Sequence, residues 1–326
     1  MEILWLSEED VKSSLTIAQA ISAVEEAFRE HGLGSAQMPP KSYLHYTKYQ
    51  GDLRTMPAYL EGMDATGVKV VNVHPENPAR GIPTVMALVV LHSPKTGAPI
   101  AVMGGTHLTE MRTGAAGAVA ARYLAREGSR RVGLLGAGAQ ARTQLLGLAE
   151  TFEIETVLVA DISIERSRSL AGWAERFLAA EYVISSDIRD VCDADILVTT
   201  TPSRRPLVRE EWISRGTHIN AIGADAAGKE ELDPAILKRS KVVVDDIVQA
   251  SHSGEVNVPL AEGLLAPGEI YATIGEVVAG KVPGRVREEE VTVFDSTGLA
   301  IQDVATAMGV YSRALARGLG TKLPFL

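Results

Sequence analysis

The chain is predicted to be an α/β protein, a Rossmann-type doubly wound parallel sheet plus a second α+β domain. Three observations predict it. A glycine-rich turn, Gly136-Ala-Gly138-Ala139-Gln140-Ala141, stands between an apolar run and a helical pattern. From Arg131 to Phe294 apolar runs alternate with helical patterns, which implies right-handed crossovers and a parallel sheet covered on both faces. Earlier, between Lys41 and Met103, the runs become short and β-rich, as in a small antiparallel or mixed sheet. With 326 residues and 46% hydrophobic composition, the chain can build two cores.

In chain order, Thr16 and Gln19 form a capping box, and Ile17, Ala20, Ile21, Val24, Ala27 and Phe28 recur at helical spacing until Gly32 and Gly34. Strands are predicted over 42–46, 67–73, 84–91 and 100–103, with 93–97 as a hairpin turn. The alanine- and glycine-rich run 113–125 reads as a helix that starts at Thr113. Parallel strands follow at 132–135, 157–160, 196–199, 218–222, 242–244 and 291–294. The last helix, 299–318, carries Ile301, Val304, Ala305, Met308 and Tyr311 on one side.

In such a sheet ligands gather at the carboxyl ends of the strands. There the chain places Gly136, Asp161, Thr200-Thr201, Gly223-Ala224-Asp225 and Asp295-Ser296-Thr297. Gly136 permits the tight turn, Gly138 lets backbone amides approach a pyrophosphate, and Ala141 lets the helix lie close to its strand. Ala139 and Gln140 open that helix, whose free amides suit phosphate. Asp161, about 20 residues on, suits the two hydroxyls of an adenosine ribose and repels a 2′-phosphate, so NAD is expected over NADP. Arg166 lies near enough in sequence to work against that choice.

Lys69 shares a strand face with Val71 and Val73. It is either a desolvated acid/base group or an edge-strand lysine that blocks aggregation. Arg54 either holds a substrate carboxylate bidentately or pairs with Asp52. Arg112 and Thr113, at the predicted start of the alanine-rich helix, suit a pyrophosphate or carboxylate. Asp225 either binds an amino group or caps a helix, and Ser296 either caps the last helix or meets a nicotinamide amide.

The net charge of −9, without a large Lys/Arg cluster, excludes a nucleic-acid partner. Cys192 is the sole cysteine and the seven histidines lack ligand spacing, so no disulfide and no metal site are expected. The start MEILWLSEED is acidic, and no apolar run approaches ~20 residues, so a cytoplasmic protein without membrane contact is expected. No GxSxG elbow, HExxH helix or Walker lysine is present. Hydride transfer remains, with the cofactor supplying the redox chemistry.

The blocks MPPK (38–41), GDLRTMPAY (51–59), VKVVNVHPENP (68–78), GIPTVMALVVL (81–91), LTEMRTGAAG (108–117), GLLGAGAQA (133–141), ILVTTTPS (196–203), INAIGAD (219–225) and FDSTGLAIQD (294–303) together resemble the ornithine cyclodeaminase and mu-crystallin family. The resemblance implies a homodimer, with residues 1–115 completed by 302–326 as the substrate and dimerisation domain and 116–301 as the NAD-binding domain. It implies that Lys69 is the acid/base, that Arg54, Lys69 and Arg112 surround the substrate carboxylate and cofactor phosphates, and that Asp225 lies beside the substrate amine. TTTPSR, THINAIGAD and FDSTGLAIQDVA resemble the alanine-deaminating branch. The activity expected is NAD-dependent, reversible conversion of L-alanine to pyruvate and ammonium. Ornithine cyclodeamination or a related ketimine reduction is the alternative, and a third reading is a non-catalytic nucleotide and small-ligand binder.

Overall fold

Met1–Arg112 and Leu299–Leu326 make one compact unit and Thr113–Gly298 another; the computed structural model describes all 326 residues. The chain opens with β1 (Glu2–Leu6), α1 (Glu8–Ser13) and α2 (Ile17–Leu33). The Thr16 capping box is present, Gln19 N–H donating to Thr16 Oγ1 and Thr16 N–H to Gln19 Oε1. Helix α2 continues through buried Gly32 and stops at Gly34, where φ is 82°. Only a residue free to enter the left-handed region closes a helix in this way at no steric cost.

Next come β2 (Ala36–Gln37), β3 (Ser42–Tyr46), β4 (Gly51–Leu60), β5 (Ala65–Val73), β6 (Val85–His92) and β7 (Pro99–Gly104). They form a sheet in the order β1-β7-β6-β5-β4-β2, with β3 also paired to β4. The 93–97 turn closes the β6–β7 hairpin with Gly97 at φ 73°. Strand β4 is not among the strands expected from the sequence, and it carries a Gly-Asp start and Pro57, residue types depleted in strands. On one side of β4 Pro57 falls in a gap in the pairing, since β3 pairs with β4 only as far as Thr55 and β2 begins at Tyr59.

Helix α3 (Thr106–Leu124) begins well before Thr113. Its first amides, Thr106 and His107, donate to the Glu8 carboxylate at 2.8 and 3.1 Å. A cap supplied from nearly a hundred residues away leaves no local sequence signal. Arg112 and Thr113 therefore lie inside the helix, without the free amides expected of a helix start.

The second unit continues with β8 (Arg131–Leu135), α4 (Ala139–Thr151), β9 (Thr156–Ala160), α5 (Ile164–Ala174), β10 (Glu181–Ser185), α6 (Ile188–Cys192), β11 (Ile196–Thr199), β12 (Arg204–Val208) and β13 (His218–Ala221). After these come β14 (Glu230–Leu232), α7 (Pro234–Arg239), β15 (Lys241–Val244), α8 (Ile247–Ser253), α9 (Asn257–Ala261), β16 (Ile270–Thr273), α10 (Ile274–Val278) and β17 (Thr292–Asp295). The sheet runs β10-β9-β8-β11-β13-β17-β15-β16, every pair parallel. Its central strands are buried on both faces, as helices on both sides require. Strands β12 and β14 pair with each other apart from this sheet.

The chain then returns to the first unit with α11 (Ala300–Arg317) and β18 (Thr321–Pro324), which adds to β1. Helix α11 packs on β4, β5 and β6 and against α2. Its buried stripe is Ile301, Val304, Ala307, Val310 and Ala314, whereas Met308 and Tyr311 are half-buried. No helix is long and apolar enough to cross a membrane.

Candidate active site

Strand parity puts Lys69 on the covered face of the sheet, where it is 1% exposed. Strand β5 lies between β4 and β6, so Lys69 faces Met56 and Val89 across the ladder and is not at an edge. The anti-aggregation reading is thereby removed. Its Nζ lies 2.8 Å from Asp303 Oδ1 on α11, and the same oxygen is 2.9 Å from Arg112 Nε. Gln302 Oε1 accepts from Arg112 Nη1 at 2.7 Å and from Leu299 N–H at 3.1 Å. One buried carboxylate thus faces two buried bases. Burial, and then the Arg112 charge, lower the Lys69 amine from 10.5 to about 7, with Asp303 opposing the fall. An amine poised there both gives and takes protons near neutrality. With Lys69 protonated the trio carries one excess positive charge, which a carboxylate ligand would neutralise.

Asp303 and Gln302 were not singled out in the sequence. An acid in the first turn of a helix reads as an ordinary dipole partner. The available signal was the stripe: Asp303 is in helical phase with Ala307, Val310 and Ala314, all buried. An acid on an apolar stripe is as telling as a lysine on an apolar strand face.

Arg54 makes the bidentate pair with Asp52, Nε to Oδ1 and Nη2 to Oδ2, each 3.0 Å, and lies over the Tyr43 ring. It stands opposite Val71 on the face that carries Lys69, one diagonal step away. Asp52 orients the guanidinium on that face.

In the second unit the glycine turn has the expected geometry. Gly136 has φ 94°, and a Cβ there would lie 2.8 Å from Thr200 Oγ1. A Cβ at Gly138 would meet no protein atom within 4 Å, so nothing in the fold itself demands glycine there. The space beside that glycine is open. Gly138 is the N-cap of α4 and supplies no side-chain acceptor, leaving the first-turn amides of Ala139 and Gln140 to a ligand. Asp161 Oδ2 accepts from Ala137 N–H at 2.8 Å and Oδ1 from Ser163 N–H at 2.9 Å, fixing the carboxylate beside the turn. Arg166 lies exposed on α5. The donors, the open glycine and the carboxylate fit a dinucleotide.

The loops after β11 and β13 adjoin. Gly223 N–H and Thr201 N–H both donate to Glu231, and Gly223 and Ala224 leave the strand end unobstructed by large side chains. Asp225 begins no helix, so the cap reading falls; its carboxylate pairs with Lys229 at 2.5 Å. Ser296 does not cap α11, whose N-cap is Leu299; its N–H donates to Ala221 O at 3.0 Å.

The model of the ornithine cyclodeaminase/mu-crystallin family matches residues 1–318. The chain belongs to this family. It is 51% identical over 328 residues to an alanine dehydrogenase of Archaeoglobus fulgidus, covering 100% of this chain and 99% of that protein. An archaeal alanine dehydrogenase dimer with bound NAD has a similar structure, with TM-score 0.96, 50% identity and complete coverage of both chains. The Δ1-pyrroline-2-carboxylate reductase of Thermococcus litoralis, in complex with NADH and L-proline, matches with TM-score 0.95 and 41% identity over 98% of this chain and 100% of that one.

Proposed function

We propose that the protein is an NAD-dependent L-alanine dehydrogenase that interconverts L-alanine with pyruvate and ammonium. The observation that carries this reading is the 51% identity, over the whole chain, to the A. fulgidus alanine dehydrogenase. The buried Lys69–Asp303–Arg112 trio supplies chemistry of the kind the reaction needs.

Bound NAD would supply the acceptor for the hydride that leaves the substrate Cα. Gly136, Gly138, Ala139 and Gln140 would hold its pyrophosphate, Asp161 its adenosine ribose, and Thr200, Thr201, Gly223, Ala224 and Ser296 would line its nicotinamide half. Arg112 and Arg54 hold the substrate carboxylate, Arg112 from a buried position where its charge is little screened. For Asp225, whose carboxylate pairs with Lys229, the proposed role is the one the family resemblance implies, partner of the substrate amine. The substrate ammonium first gives one proton to solvent, so that its nitrogen lone pair forms the C=N bond as the Cα–H bond breaks. Neutral Lys69 Nζ then removes the proton from the water that adds at Cα and passes it to the departing nitrogen, and the remaining hydroxyl proton returns to Nζ as C=O forms and the C–N bond breaks. In the reductive direction the protonated amine reverses these transfers.

The sheet of the first unit has a second, uncovered face with Trp5, Met86 and Leu88 exposed and a cleft of about 660 Å³ that Val70 and Asn72 also line. This cleft is on the side away from Lys69. An apolar face of this kind is characteristic of an interface, and the protein works as a homodimer through it. Light scattering giving a monomer at micromolar concentration would refute that arrangement.

The activity is tested by mixing NAD with L-alanine: absorbance of NADH should grow, and should fall on adding pyruvate and ammonium with NADH. The T. litoralis relative favours one competing reading, reduction of a cyclic imino acid. NADH consumption with Δ1-pyrroline-2-carboxylate, and none produced by alanine, would establish that reading instead. Ornithine converted to proline with no net NADH would mark a cyclodeaminase.

A further inference from the structure

In the strand order 3-2-1-4-5, β8 and β9 supply the first nucleotide half, and β11 and β13 the second. The loops that end β11 and β13 are joined by one side chain. Glu231, fully buried on β14, accepts from Thr201 N–H through Oε1 at 2.6 Å and from Gly223 N–H through Oε2 at 3.0 Å. The loops pass so closely that a Cβ on Gly223 would lie 2.2 Å from Thr201 O and 2.5 Å from Glu231 Oε2. We infer that Glu231 is a positioning residue for the nicotinamide half of the cofactor site, clamping the two loops at the separation the ring requires. This rests on the NAD reading above.

A second buried acid fixes the clamp. Glu255 Oε1 accepts from Glu231 N–H at 2.8 Å and Leu232 N–H at 2.7 Å, anchoring β14 from behind, while Glu255 Oε2 has no hydrogen-bond partner. Burial, and then the Glu231 charge, push Glu255 well above the usual carboxylate range. Burial raises Glu231 too, but amides on both its oxygens favour its charged form. Burial and the neighbouring charge thus weigh most on Glu255, while Glu231 offers two acceptor oxygens, one for each loop. A glutamine in its place would turn an N–H₂ toward one of two N–H donors and release that loop.

The test compares NAD with ADP-ribose, which lacks the nicotinamide, by titration calorimetry on the full-length protein. Glu231→Gln is expected to raise the dissociation constant of NAD at least tenfold while leaving that of ADP-ribose within twofold of wild type. It should also reduce the blue shift of NADH emission on binding. Gly223→Ala, which wedges the same loops apart, and Glu231→Asp, too short to reach both, should reproduce the split if the glutamine variant folds poorly. Equal weakening of NAD and ADP-ribose, or no weakening of either, would overturn the inference. Wild-type protein that binds neither ligand would overturn the NAD reading itself.

Discussion

Apart from Glu30, a buried acid of the first unit that accepts from Gly62 N–H, the two units bury charge in opposite ways. In the first, Lys69 and Arg112 converge on the single carboxylate of Asp303, leaving positive charge in excess when Lys69 is protonated. In the second, the buried carboxyl groups of Glu231, Glu255, Asp245 and Asp295 are answered by backbone amides. Asp245 accepts from Thr297 and Gly298 N–H at 2.6 and 2.7 Å, and Asp295 from Val256 N–H at 3.1 Å. Amides are part of the chain and stay in place, so the acids of the second unit serve as fasteners for loops. The cations of the first unit have spare capacity, so a small carboxylate can complete them.

The severest test of this contrast is Lys69→Ala. Loss of the acid/base group should lower kcat on the order of 10²-fold or more, while the dissociation constant for NAD, measured by fluorescence, stays within about twofold of wild type because the lysine belongs to the other unit. A near-normal kcat would make Lys69 a structural residue.

Asp303→Asn sharpens the same point. It removes the charge that holds the Lys69 amine up, so the limb of the kcat/KM profile for alanine oxidation should move from about 7 to a lower pH. Stripping a buried cation pair of its counter-charge costs about 3–5 kcal/mol when fully uncompensated. Deprotonation of Lys69 relieves part of that cost, so a folded protein with kcat/KM reduced by roughly tenfold is expected. An unmoved limb would separate Asp303 from the proton chemistry.

In the second unit, Asp161→Ala should narrow the preference for NAD over NADP by roughly tenfold, the equivalent of about 1.4 kcal/mol of charge repulsion. Parallel titrations of both nucleotides measure it. A wild-type protein that prefers NADP would shift control to Arg166.

The smallest effect is on stability, and its sign differs between the units. Lys69 falls from 10.5 to about 7 on folding, so between those values the unfolded chain binds the extra proton and stability rises with pH. Asp295 rises from 3.8 to about 8, so across that window the folded chain binds the extra proton and stability falls as pH increases. Urea midpoints of Lys69→Met should lack the upper slope, and those of Asp295→Asn the lower one. Unchanged slopes would mean that neither group is buried as described.

Legibility follows the same division. The nucleotide turn was readable because strand, glycine turn, helix and Asp161 fall within a short stretch of chain, and each carries its own signal. The outer strands β10 and β16, and the side pair β12 and β14, left weaker marks because they are short and less apolar. In the first unit Lys69 was visible from strand parity alone, but its meaning was not, since Asp303 lies 234 residues away. Arg112 was assigned a helix start because the cap that begins α3 earlier comes from Glu8. Long-range partners of this kind leave only their own half of the pattern in the local sequence.

The insertion of one unit within the other also orders events during synthesis. Lys69, Arg112 and the sheet that carries Lys69 emerge from the ribosome first, yet α11, which covers that sheet and brings Asp303, emerges only after the whole of Thr113–Gly298. Domains fold as units when their chain is available, so the first unit to be made is the last to be finished. A nascent chain halted before residue 300 holds all the strands of the nucleotide unit but lacks the counter-charge for Lys69 and Arg112. The buried trio is therefore complete only once translation has passed α11.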